Sequence, residues 1–398
     1  MLASFQILLV ITLVTSLVYN AVPSRFTGVR RGLILAVSAV AIYAYNPRTL
    51  AIAILVTLFA FGVFVVARRH PTRGWIPWLV VLPLVVNAVS EVALHRNWGD
   101  ILPFPTGSPQ SAMVTSLATL GLSFYAFKLY VSIKEGLRLG DLRLRDMATC
   151  VLFYPAFPIG PIDGAARFDH AAIGAPPDVR RWLLGLARIG MGGAKVYLVT
   201  GWITEDLPAR LGLPTLLFTQ THAFTTPGRS LAYMVLSFLF LYLNFSGFTD
   251  MAIGAGLMFN LRLTENFHYP LLSTSIQDFW QRWNLSLSGF ITRYMFKPML
   301  RSTGRPVASL VVTFTLIGMW HELSFGYLFW GLAHGSALGA TLWLRQRRRG
   351  REHRRLPPLM RQLGGMAVTL LFVAFVSAIA NLPTLERTQA FVEALVGR

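Results

Sequence analysis

The sequence predicts an all-α polytopic membrane protein of roughly ten transmembrane helices, counted at about 20 apolar residues per span, with re-entrant or interfacial helices between them. Three observations lead there. Of 398 residues, 54% are hydrophobic and only 13% are charged, and the mean hydropathy is +0.54, outside the balance of an ordinary soluble domain. Apolar runs recur along the chain and leave no stretch for a large soluble domain, so 1–398 reads as a single membrane-embedded domain. Lys and Arg gather in short loops that alternate with loops poor in both, as the positive-inside rule requires. The formal net charge of +19 is therefore a topological signal. No basic groove with interleaved aromatic residues is visible, so the expected partner is the lipid bilayer and not nucleic acid. The single cysteine, Cys150, rules out an intramolecular disulfide framework and any CxxC metal or redox site.

The first apolar run, Phe5 to Val22, lacks a basic leader and is read as a span rather than a signal peptide. Gly32 to Tyr45, Leu50 to Ala67, Trp75 to Leu94 and Ala112 to Ile133 follow, separated by the basic groups Arg25, Arg30 and Arg31, then Arg68, Arg69 and Arg73, and by the Lys-poor loop Arg96 to Gln110. Lys134, Arg138, Arg143 and Arg145 close the fifth run. Met147 to Pro161 is too short and too rich in Pro and Gly to span, so it reads as re-entrant, next to Arg167, Arg180 and Arg181. Trp182 to Trp202 runs out and Leu231 to Phe259 runs back, with Thr204 to Arg229 left open between an external loop and a half-inserted hairpin. Gln277 to Arg301 carries charges on several faces and belongs at the cytoplasmic rim or around an internal cavity. Pro306 to Trp320 runs outward, and Phe325 to Leu344 runs inward to a cytoplasmic anchor of Arg345, Arg347, Arg348, Arg349, Arg351, Arg354 and Arg355. Met366 to Leu382 is the last span, which leaves both ends outside.

The chemistry is expected in Thr274 to Gly335, where polar groups crowd into apolar surroundings; ionisable groups at membrane depth are costly and default to function. His321 ends the run from Val307 and has no second ligand at i+3 or i+4, so a histidine pair for metal is not expected. Its imidazole can take a proton from a hydroxyl, a role that stands level with that of a hydrogen-bonded structural histidine. His334, between Ala333 and Gly335, favours helix packing; His70, His95 and His353 fall in loops. Asn284 lies among Trp280, Trp283 and Phe290, and its amide either satisfies local partners or polarises a carbonyl. Arg282, Arg293 and Lys297 can attract an acidic or phosphate-bearing carrier or simply snorkel. Asp250 is more readily a cap or a buried partner of an arginine than a catalyst. No GxSxG elbow occurs, which disfavours covalent serine catalysis.

The strings SIQDFWQRWNLSLSGFITRYMFKPM at Ser275 and GMWHELSFGYLFWGLAHG at Gly318 resemble the membrane-bound O-acyltransferase family. The similarity is to its bacterial branch of alginate O-acetylation and teichoic-acid D-alanylation proteins. GLSFYAFKLY at Gly121, LFYPAFPIGPI at Leu152 and NFSGFTDMAIGAGLMFNLRLTENF at Asn244 extend it in the family's order. The resemblance divides the chain into N-terminal helices, 1–120, a catalytic core, 121–335, and a basic loop with a C-terminal helix, 336–398. It implies helices ringed around a central tunnel, a thioester donor entering from the cytoplasm as acyl-CoA or acyl carrier protein, and no cofactor or metal. The histidine of the family's WH motif falls on His321, the implied base. The second polar position, histidine in most of the bacterial branch, falls on Asn284, which leaves the acceptor open. From the residues themselves, Trp280, Arg282, Trp283, Arg293, Lys297 and Trp320 are the expected substrate-binding residues, with the donor approaching near Arg282, Arg293 and Lys297. The implied setting is a bacterial cytoplasmic membrane, with an acyl carrier protein or an extracytoplasmic acyltransferase as partner. A multi-pass transporter, or a silent scaffold for an extracytoplasmic transferase, is the competing class. Internal repeats would favour the transporter, and none is evident.

Overall fold

The computed structural model describes residues 2–45, 47–82, 109–157, 159–166, 168–210, 226–348, 358–382 and 384–397. Most of the expected span Trp75 to Leu94, residues 96–108 of the loop Arg96 to Gln110 with His95, and Arg167 lie outside them. So do 211–225 of the segment left open, and Arg349 to Arg355 with His353. Among the described residues the chain is helical, with no strand. Five helices there are long and apolar enough to cross a membrane: Thr27–Ala44, Thr49–Arg69, Val179–Arg210, Pro227–Met258 and Leu359–Ala380. Two shorter apolar ones, Leu9–Ala21 and Pro306–His321, join them.

Two compact units are present, Met1–Gly193 with Gly247–Thr264, and Ala194–Ser246 with Glu265–Arg398. The first holds α1 (Leu2–Ala21), α2 (Thr27–Tyr45), α3 (Pro47–Arg69), α4 (Pro109–Leu139), α5 (Leu144–Val151), α6 (Val179–Gly193) and the second half of α8 (Pro227–Met258). Glycine lets α6 and α8 meet backbone to backbone: a Cβ on Gly185 would lie 2.5 Å from the Gly254 oxygen, and one on Gly192 would lie 2.5 Å from the Gly247 oxygen. Between those contacts Arg188 reaches Asp250 at 3.0 Å, so Asp250 is the buried partner of an arginine. Removing one member of a buried pair strands the other charge. Asp250→Ala is expected to cost on the order of 3 kcal/mol, read as a lowered melting midpoint in detergent.

The sequence places Arg30 and Arg31 in a basic loop, whereas both sit on the first turns of α2. Arg30 is fully buried, and its guanidinium donates to the carbonyls of Val22, Ile173 and Ala175. Arg31 pairs with Asp146. The backbone carbonyls that follow α1 and close the 170–175 turn need donors, and a guanidinium supplies several at once. Met147 to Pro161 begins inside α5, and beyond it short 3-10 turns at Tyr154–Ala156 and His170–Gly174 are separated by irregular backbone. Side chains satisfy that backbone, with Lys128 donating to the Ala156 oxygen and Ser132 accepting from the Ala165 N–H at 2.8 Å. Irregular backbone inside an apolar protein requires such partners.

In the second unit, π-helical turns at Ala194–Val199 and Trp202–Asp206 continue into α7 (Leu207–Arg210). Then come the first half of α8, α9 (Ile276–Trp280), α10 (Leu285–Phe290), a π turn at Ile291–Phe296 and α11 (Lys297–Thr303). α12 (Pro306–His321), α13 (Phe325–Arg348), α14 (Pro358–Ala380) and α15 (Leu385–Leu395) complete it. The charged stretch expected not to span is thus cut into short pieces. Sequence reading stops at Leu382 and misses α15, whose N-cap Thr384 accepts from the Arg387 N–H at 3.3 Å.

Candidate functional site

α12 begins after Gly304, whose positive φ of 65° ends α11, and carries Pro306 at its first position, where the missing N–H costs nothing. Glu322 then turns to extended backbone, so the helix stops on His321. The imidazole is half-buried among three aromatic rings: Trp320 at 4.5 Å, Tyr327 stacked at 5.5 Å and Trp330 edge-on at 5.7 Å. α13 packs its backbone on α12 and delivers Tyr327, Trp330 and His334 as one helical stripe. Of these, sequence reasoning singled out only His334; the i, i+3, i+7 spacing was the available signal for the other two.

Trp330 joins two parts of the site. Its ring lies 4.6 Å from His334 and 5.7 Å from Trp280. The Trp280 indole N–H donates to Nδ1 of His334 at 3.3 Å, which places the imidazole proton on Nε2, an atom buried without a partner among the described residues. Trp280→Phe keeps a ring and removes the donor. It is expected to cost about 1 kcal/mol, measured as a fall in melting midpoint relative to wild type.

Trp283 stacks on Phe279 at 5.3 Å and meets Phe267 edge-on at 5.1 Å, so it is a core residue as well as the neighbour of Asn284. Asn284 is 3% exposed and left-handed, with φ 44°; asparagine is among the few side chains that tolerate this region. The turn is held by Asn266, whose backbone oxygen accepts from the Leu285 N–H and whose side-chain oxygen accepts from the Ser286 N–H. The Asn284 carboxamide oxygen is buried without a hydrogen-bond partner among the described residues. It offers an acceptor, and turning the amide offers a donor instead.

Arg282 is held by Asp278 at 2.7 Å and by the His268 oxygen at 3.3 Å. Burial alone would raise the Asp278 carboxyl, but the Arg282 and Thr274 bonds outweigh it and hold the group below its ordinary value. Arg293 and Lys297 are exposed on the π turn and α11, and neither lines the pocket that Arg282 shares with Arg345 and Arg361. Ring contacts link Trp320, His321, Trp330, Trp280, Phe279 and Trp283 in turn, while Arg282 lines the pocket with Arg345 and Arg361. No group of three or more His, Cys, Asp or Glu side chains is placed to hold a metal ion among the described residues.

A family model for the membrane-bound O-acyltransferase family matches residues 114–376. The chain belongs to that family. It is 30% identical over 323 residues to a probable alginate O-acetylase AlgI of Pseudomonas aeruginosa, covering 77% of this chain and 59% of that one. It is 25% identical over 263 residues to a teichoic acid D-alanyltransferase of Bacillus subtilis, covering 63% of this chain and 65% of that one. Over a shorter stretch of 107 residues it is 42% identical to a peptidoglycan O-acetyltransferase of Helicobacter pylori, covering 26% of this chain and 20% of that one. The chain thus spans 59% of the length of the alginate relative.

Proposed function

We propose that this protein moves an acyl group from a cytoplasmic thioester donor, acyl-CoA or an acylated carrier protein, to a hydroxyl of an extracytoplasmic or membrane acceptor. The observation that carries this reading is His321, an imidazole ending an apolar helix against Trp320, Tyr327 and Trp330, in a chain of this family. α12 has 16 residues, about 24 Å at 1.5 Å per residue, against a hydrocarbon core of about 30 Å. A histidine on its last turn therefore stops short of the far side, at a depth where a donor from one face and an acceptor from the other can meet. The setting we infer is a bacterial cytoplasmic membrane, with roughly ten spans by the length rule around a tunnel. The names of the relatives support a glycan or other envelope polymer as the acceptor. As partner we propose an acyl carrier protein or an extracytoplasmic transferase.

The chemistry balances without a metal or cofactor. His321 takes the proton from the acceptor hydroxyl as its oxygen bonds to the thioester carbon, and the carbon–sulfur bond breaks. The proton then passes to the departing thiolate, leaving a free thiol and an ester. Asn284 positions or polarises one reactant through its buried amide.

The test is thiol release in proteoliposomes supplied with acyl-CoA donors of graded length, an acylated carrier protein, and a hydroxyl-bearing glycan. Release that requires the protein and rises with the acceptor is expected. Failure with every donor would overturn the assignment.

A further inference from the structure

Residues 265–268 run beside the turn at Asn284 and are clamped to it. The His268 N–H donates to the Arg282 oxygen at 2.9 Å, the Leu285 N–H to the Asn266 backbone oxygen at 2.9 Å, and the Ser286 N–H to Asn266 Oδ1 at 3.2 Å. The last bond fixes which way round the Asn266 carboxamide lies, because an N–H donor must meet its oxygen and not its nitrogen. Its Nδ2 therefore points elsewhere. Asn266 is 0% exposed, and that Nδ2 is buried with no hydrogen-bond partner among the described residues. Asn284 Oδ1, on the same turn, is buried and equally unpaired there. A spare donor and a spare acceptor thus flank one well-held turn.

Their chain neighbours are aromatic. Phe267 meets Trp283 edge-on at 5.1 Å and Phe245 edge-on at 5.2 Å. Buried polar groups in folded proteins are nearly always hydrogen-bonded, so this pair calls for a bound partner. A single atom serves both amides only if it accepts from Asn266 Nδ2 and donates to Asn284 Oδ1. The oxygen of an O–H group does so, whereas a phosphate or carbonyl oxygen only accepts and an ammonium group only donates.

We propose that Asn266 and Asn284 form a two-point site for one O–H oxygen. Resting on the acyltransferase reading, its occupant during turnover is a hydroxyl of the acceptor; a resident water presents the same chemistry. The site stands at the Trp283 end of the ring contacts that lead through Phe279, Trp280 and Trp330 to His321. A polyhydroxylated acceptor held there by one hydroxyl has others to present to the imidazole. With Oδ1 engaged, the Nδ2 end of Asn284 is the one left to polarise a carbonyl.

Two measurements test this. The first is a density map of the wild-type full chain, purified in detergent without acceptor, at a resolution that shows ordered water. The second is KM and kcat for a hydroxyl-bearing glycan, followed by thiol release, in Asn266→Asp and Asn266→Ala, each against wild type at the same pH. The aspartate keeps an oxygen for the Ser286 N–H at any pH but has no donor once ionised; acidification returns one as the carboxyl O–H. The map is expected to show one ordered oxygen bonded to both carboxamides. Acceptor KM is expected to rise about tenfold in Asn266→Asp at high pH, the worth of one hydrogen bond, and to fall back on acidification, with kcat little changed. Asn266→Ala should show the raised KM at both pH values. A capping role alone would leave the ionised aspartate at the wild-type KM; that result beside an ordered oxygen would keep the site and overturn its assignment to the acceptor. Carboxamides bonded to each other or to protein groups, with no oxygen between them, would overturn the proposal. The map needs no turnover, so an ordered oxygen in a chain without thiol release would sink the acyltransferase reading and leave the site standing.

Discussion

His321→Ala is expected to lower acyl transfer by about 100- to 10,000-fold, the usual worth of general-base assistance, while donor affinity stays close to wild type. The separation of the two effects follows from geometry. The imidazole is the last side chain of α12 and is held by ring contacts with Trp320, Tyr327 and Trp330. The basic pocket lined by Arg345, with Arg361 of α14, lies at the other end of α13. On the proposed mechanism, truncating the ring removes the proton acceptor for the attacking hydroxyl and leaves the guanidinium groups in place. A thiolate leaves readily, so the step most exposed to the loss is activation of the acceptor. Thiol release in the presence of acceptor should therefore collapse, whereas slow hydrolysis of the donor by water should change less. His321→Gln serves as the control for packing, since it keeps a polar side chain of similar reach but cannot hold the proton. Near-normal transfer by either variant would remove His321 from the mechanism.

Much of this arrangement was legible in the sequence, and the reasons differ by element. Apolar runs marked α2, α3, α8, α12 and α14, because a helix in an apolar medium must satisfy its own backbone and exposes a long apolar surface. The charges between Gln277 and Arg301 marked a stretch that could not be an ordinary span, and its breakage at left-handed Asn284 is the physical form of that rule. The buried Arg30 could not be read in the same way. Charge counting assigns an arginine to a loop, and only tertiary contacts show that three backbone carbonyls receive it. The same limit hid the basic pocket: Arg282, Arg345 and Arg361 are far apart in sequence and meet only after folding. It also hid the division of labour among the basic residues, since Arg293 and Lys297 look equivalent to Arg282 on paper and lie away from the pocket. Tyr327 and Trp330 were missed for another reason. Aromatic residues are common in spans, and their shared face matters only because α13 is pressed directly against the helix that ends in His321.

That pressure is the subject of the second large effect, expected for Gly331→Ala. A Cβ at position 331 would lie 2.5 Å from the Phe314 oxygen and 2.6 Å from the Thr315 Cα, both backbone atoms of α12 that no rotamer change can move. Gly335 is as constrained, 2.7 Å from the Val311 Cα, and on α12 a Cβ at Gly318 would lie 2.2 Å from the Tyr327 oxygen. One methyl group must therefore push α13 away from α12 along a contact made of backbone. Overpacking of this kind costs about 1–3 kcal/mol, and here it also displaces Trp330, the residue next in chain, whose ring meets both His321 and Trp280. A displacement on the order of 1 Å at a reacting centre lowers rates by about 100-fold. The variant should thus melt earlier and, per folded molecule, turn over more slowly. Gly190→Ala supplies the contrast: Gly190 lies within α6 with nothing inside 4 Å of the added carbon, so helix propensity alone predicts a gain of up to about 1 kcal/mol. If Gly331→Ala matched Gly190→Ala in melting midpoint and in thiol release, the close approach of α12 and α13 would have no part in holding His321 in place.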